Sequence, residues 1–139
     1  MRRLTALTLA LACLLPSIAH AGDVTVNLTG IRATTGVVKL ALAGSAESYN
    51  GKAPPVQGVG GPPTGETATF TFRDVAPGRY AVMVTHDENG NGQMDVNAIG
   101  MPLEGYGFSN NPDVMRKPTW DEASFEVGAD GAAITIELR

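Results

Sequence analysis

From residue 24 onward, apolar and polar positions alternate in short runs. Val24, Val26 and Leu28 alternate with Thr25, Asn27 and Thr29, the period-two pattern of a half-buried strand. Gly30 closes that run, and Thr34-Thr35-Gly36 spell a turn. Val38, Leu40 and Leu42 then alternate with Val37, Lys39 and Ala41. The two runs predict a hairpin. A third strand is expected over 67–72, with Ala68, Phe70 and Phe72 on one face. Asp74 to Gly78 then predicts a tight turn, in which Pro77 presets the backbone and Gly78 takes the left-handed position. Tyr80, Val82 and Val84 point inward along a fourth strand, 79–85, which runs directly into His86. Ala123-Phe125-Val127 and Ile134-Ile136-Leu138 give two more strands, with Gly128, Asp130 and Gly131 between them.

Two stretches depart from this rhythm. Residues 44–63 hold Pro54-Pro55, Gly58, Gly60-Gly61 and Pro62-Pro63, which no helix or central strand tolerates. They read as a long surface connection crossing between two sheets. Residues 86–112, HDENGNGQMDVNAIGMPLEGYGFSNNP, carry no strand or helix pattern but the densest set of oxygen-bearing side chains. No segment of ten or more residues has helical periodicity. Six to seven strands at this spacing predict an all-β fold, a single antiparallel β-sandwich with one long ordered loop. A small barrel is the alternative.

The N-terminus lies outside that domain. Met1-Arg2-Arg3, the apolar run Leu4 to Leu15, Pro16 and Ala19-His20-Ala21 predict a secretory signal peptide over residues 1–21. Ala10-Leu11-Ala12 before Cys13 is a poor lipobox, so the chain's one cysteine is expected to leave with the signal. The remaining 118 residues, 22–139, form one domain with eight basic and fourteen acidic residues, a net charge of −6. That charge argues against nucleic acid and against an anionic membrane surface. No later segment is apolar for long enough to span a bilayer. The expected location is exported, periplasmic or extracellular.

Candidate chemistry concentrates in the loop. Asp87, Asn89, Asn91 and Asp95 fall at relative positions 1, 3, 5 and 9, with Gly92 at position 6, which is the register of an EF-hand calcium loop. A calcium ion needs six to eight oxygens, and alternate side chains of a tightly coiled loop can converge on one point. Gly92 permits the reversal, and the Gln93 carbonyl would supply the backbone ligand. Met94 sits where calcium loops place an apolar anchor into the core. Position 12, however, is Ala98 and not Glu. Glu104 or Asp113 could supply the missing carboxylate, with Asn97 and Glu88 as weaker substitutes. Two charged ligands among the spaced four predict weak affinity. The competing account is a metal-free turn, since Asn and Gly both accept positive φ and Asn bonds its own backbone.

Other chemistry is thinner. Within residues 22–139, one histidine and no cysteine cannot build a zinc or copper site from those ligands. His86 with Asp87 and Ser109 can be written as a hydrolase set, but no nucleophile-elbow sequence surrounds Ser109, and adjacent residues of a strand face opposite ways. Glu88, Asp95 and Glu104 could pair carboxylates for glycoside hydrolysis, yet no deep cleft is implied. Tyr106, Phe108 and Trp120 would, if exposed, stack on a glycan or anchor a protein partner. Buried, they would pin the long loop to the sandwich.

Pro77-Gly78-Arg79-Tyr80, DENGNG, the G-x-P segment and EGYGFSNN together resemble the domain of unknown function 2141 family of exported bacterial proteins. The resemblance covers most of residues 22–139 and implies export without an established activity. More distantly, the strand–turn–strand–loop layout is similar to transthyretin-like and carboxypeptidase-regulatory β-sandwiches, with an immunoglobulin-like architecture. The spaced Asp/Asn run is similar to calcium loops of Gram-positive surface repeats, which end in a Glu absent here. The expectation is therefore an exported, non-enzymatic module with a low-affinity calcium loop. It would act as a cell-envelope binding or structural accessory protein, its partner an envelope protein or glycan.

Overall fold

The computed structural model describes residues 20–139, so the expected signal peptide lies almost wholly outside the described residues. Eight strands are present: β1 (Gly22–Thr29), β2 (Val37–Ala43), β3 (Gln57–Gly61), β4 (Ala68–Val75), β5 (Gly78–Asp87), β6 (Tyr106–Phe108), β7 (Phe125–Val127) and β8 (Ala132–Glu137). Two single-turn helices, α1 (Ala46–Tyr49) and α2 (Trp120–Ala123), interrupt them. The strands form two sheets. One has the order β4-β1-β8, and the other β3-β2-β5-β6, with β7 added against the start of β5. This is the expected all-β sandwich.

The alternating apolar residues meet between the sheets. Val24, Val26 and Leu28 from β1, Val38, Leu40 and Leu42 from β2, and Val82 and Val84 from β5 are all buried, together with Phe72 and Ile136. Full burial of one such side chain stabilises the fold by about 1.5–3 kcal/mol relative to exposure. A second, smaller cluster lies elsewhere, where Ala43, Tyr49, Ala81 and Ala123 pack with Met83, Phe108 and Trp120.

Four local expectations change. β1 and β2 do not form a hairpin: β1 pairs antiparallel with β4 and parallel with β8, while β2 pairs with β3 and β5 in the opposite sheet. Residues 30–36 cross between sheets, because each strand buries its aliphatic face against the other's. Residues 44–63 are also more regular than their glycines and prolines suggest. Ser45 caps α1 by accepting from the Ser48 amide, and β3 forms an edge strand with Val59 opposite Leu40. At the β4–β5 turn the left-handed residue is Asp74, at φ 55°, and not Gly78; Asp23 Oδ1 accepts from the Asp74 amide and holds that conformation. Finally, β8 runs parallel to β1, so the sandwich is not purely antiparallel.

Candidate metal centre

The loop begins where β5 ends. His86 and Asp87 are still paired to β2, opposite Val38 and Val37, and Asp87 is 6% exposed. From that anchor the chain coils through Gly90 and Gly92, both left-handed at φ 71° and 80°. Glycine is the default there because it carries no Cβ to clash. The Asp87 carboxylate organises the coil by accepting from the Asn91 amide at 3.1 Å and the Gly92 amide at 2.7 Å. Asn89 Oδ1 accepts from Asn91 N, and Asn91 Oδ1 accepts from Gln93 N. Each step is an Asx-type turn, in which a short side chain replaces a backbone acceptor.

The side chains also converge. Asn89 Nδ2 and Asn91 Nδ2 donate to the two carboxylate oxygens of Asp95, the latter at 2.8 Å. Asp87, Asn89, Asn91 and Asp95 therefore form one connected network, and Gln93 contributes its backbone to the same coil. Lys39 Nζ stands 3.8 Å from Asp87 Oδ2 across the sheet.

Glu104 turns in toward the coil, whereas Asp113 does not. Glu104 is 5% exposed. Its Oε1 accepts from Glu88 N at 2.9 Å and from Asn89 N at 3.4 Å, and its Oε2 accepts from Asp95 N at 3.0 Å. It clamps both ends of the coil through backbone amides. Asp113 is fully exposed and faces Arg139. Asn97 is committed to its own turn, capping the Ile99 and Met101 amides, and Val96 bridges Pro102 to close a small hairpin. Glu88 pairs with Arg32 at 2.8 Å and accepts from Gly105 N at 3.0 Å. Met94 is half-buried and belongs to neither core cluster, so it does not anchor the loop in the core as expected.

The side chains of the coil carry oxygens, the ligand type that a hard ion takes. No group of three or more His, Cys, Asp or Glu side chains placed to hold a metal occurs among the described residues. Any ligation would therefore lean on amide and backbone oxygens, which are calcium's ligands and poor ones for softer metals. Exchanging nitrogen for oxygen at Asn89 and Asn91 takes a half-turn of each amide and gives up four hydrogen bonds, two Asx bonds of about 1 kcal/mol each and the two donated to the Asp95 carboxylate, whose place an ion would take.

His86 and Ser109 are not brought together. His86 is completely buried, and its Nε2 donates at 2.8 Å to the Thr35 carbonyl, while Nδ1 has no partner. Ser109 Oγ accepts from Val82 N and donates to the Ala123 carbonyl. Val82 lies four residues before His86 on β5, about 13 Å along an extended strand. Ser109 Oγ is used on both sides by the fold, and His86 is sealed in the interior through its Nε2.

The second half of the loop is a latch. Tyr106, Gly107 and Phe108 form β6 against Thr85, Val84 and Met83. A Cβ on Gly107 would come within 2.7 Å of Ile136 Cγ2, so only glycine lets the strand lie that close. Tyr49 meets Phe108 edge-on at 6.3 Å and Trp120 at 6.1 Å, and Tyr106 meets Phe108 at 6.2 Å. The Tyr49 hydroxyl donates to the Pro118 carbonyl, and burial, with Glu122's charge second, pushes it up to about 12. Trp120 starts α2, whose capping box is Thr119 and Glu122. The Arg116 guanidinium, then the Thr119 amide, hold the Glu122 carboxyl down to about 2.

The model of the family DUF2141, described as an uncharacterized protein conserved in bacteria, matches residues 26–135. This chain belongs to the DUF2141 family. The DUF2141 match runs from the second half of β1 into β8 and takes in both the coil and the latch. No curated protein and no solved structure matches this DUF2141 chain.

Proposed function

We propose that this bacterial DUF2141 protein is an exported, non-enzymatic β-sandwich module whose 87–95 coil binds calcium weakly. In this reading it serves the cell envelope as a binding or structural accessory protein. The observation that carries the proposal is the convergence of Asn89 and Asn91 on the Asp95 carboxylate, above a coil nucleated by Asp87. Export is supported by the N-terminal charge, apolar run and small-residue site. A non-enzymatic role is supported by the burial of His86 and Ser109.

Thermal melts of the purified protein with and without calcium test the ion. With a dissociation constant of about 1 mM, the weak end for calcium modules, about 10 mM calcium adds roughly 1.4 kcal/mol of stability. For a domain of this size that raises Tm by about 5 °C. The double variant Asp87→Asn/Asp95→Asn should lose the shift. An unchanged Tm in the parent protein would leave the coil as a metal-free Asx turn, a reading favoured by one observation: its side-chain oxygens already have hydrogen-bond partners.

A further inference from the structure

The four methionines among the described residues are Met83, Met94, Met101 and Met115, and all four line one groove on the outer face of the five-stranded sheet. They come from four separate places: β5, the end of the coil, the 96–102 hairpin and the segment after Pro112. Met83 and Met94 are half-buried, Met101 is 44% exposed and Met115 is 93% exposed. The groove thus has two thioethers at its base and two at its mouth.

One histidine and no cysteine in residues 22–139 argue against zinc and against copper held by those ligands, but that count leaves out thioether sulfur, which takes Cu(I). A thioether is neutral, soft and polarizable, and it selects Cu(I) over hard or borderline ions. Its three rotatable bonds let it close around an ion without moving the backbone. The groove also carries Arg116, Lys117 and Arg139, which would oppose a cation if free. Two of them are offset by carboxylates, Arg116 by both Glu122 oxygens and Arg139 by Asp113, while Lys117 keeps its charge and is tethered to the Tyr49 carbonyl and ring.

We infer that this groove is a thioether site for a soft monovalent d¹⁰ cation, Cu(I). The groove borders the coil and shares Met94 with it, but it would use that residue's sulfur, which is not among the coil's oxygen ligands. The test titrates the purified protein with Ag(I), the redox-inert mimic, while following the methionine methyl resonances by NMR. In parallel, Cu(I) is offered anaerobically as its bicinchoninate complex. The expected result is saturation at about one equivalent, with at least three of the four methyls shifting together, and removal of Cu(I) from the chelator. Replacing all four by leucine keeps side-chain volume and apolarity, and such swaps are well tolerated. That variant should keep its cooperative melt and lose the saturable one-equivalent binding, because no soft ligand would remain in the groove. A single leucine at Met115 should lose less and stay folded, since that residue is almost wholly exposed. Methyls that titrate separately, copper left on the chelator, or a leucine variant that binds equally well would each overturn the proposal. Equal binding of an apolar peptide or detergent by both proteins, with no silver effect, would make the groove an apolar docking surface and overturn it too.

Discussion

The two halves of the long loop reach order by opposite means. In residues 87–95 the side chains bond their own backbone, and beyond Asp87 nearly all of the coil is in contact with water. In residues 105–111 order comes from burial: Gly107 slides under Ile136, Ser109 is sealed beside Val82, and Phe108 meets Tyr49 edge-on. Hydrogen bonds exposed to solvent add little net stability, whereas a buried polar group left unpaired costs its full desolvation. Exchanging the coil's own bonds for other partners therefore costs less than breaking those of the latch. Glu104 and Gly105 are the hinge between the two regimes.

The largest effect is expected at that hinge. Glu104→Ala strands the amides of Glu88, Asn89 and Asp95 and should lower stability by about 3 kcal/mol. Urea titration would show this as a lower midpoint at unchanged slope. In the latch, Ser109→Ala leaves the buried Val82 amide and Ala123 carbonyl without that partner, a loss of about 2 kcal/mol by the same measurement. In the coil, Asn91→Ala in calcium-free buffer should cost no more than about 1 kcal/mol, because water replaces the lost partners. If Asn91→Ala were as damaging as Ser109→Ala, the division into a solvated coil and a buried latch would fail. The smallest effect is a matter of pH. Glu122's carboxyl is lowered from 4.5 to about 2, so its contribution is fully present above the unfolded value. It is lost as pH falls from about 4.5 through about 2. Glu122→Gln should flatten that part of the stability profile and leave the neutral region's slope unchanged.

Much of this could be read in the residues, and the failures have a common cause. Period-two alternation says which face of a strand is buried, and β1, β2, β4 and β5 follow it. It does not say which strand lies alongside, so the β1–β2 hairpin was the wrong inference from a right pattern. β3 escaped because Gly58, Gly60 and Gly61 have no side chains with which to show a period. α2 escaped because one turn is too short for helical periodicity, although Thr119-x-x-Glu122 is a capping-box spelling. The coil's register was legible because ligand-type side chains must sit at alternate positions to meet. The inward turn of Glu104 was only one of two options, since a contact across sixteen residues is made by folding and not by spacing.

The parallel pairing of β1 with β8 has a mechanical consequence. Rungs run from Val24 with Ala132 to Thr29 with Glu137, so the chain enters at one end of this ladder and leaves at the other. Tension between the two ends would load those rungs together, in shear, and would not peel them one at a time. Arg139 and Tyr106 extend the same anchorage into the second sheet through a reciprocal pair of backbone bonds. A domain strung between two attachment points would resist extension along just this axis.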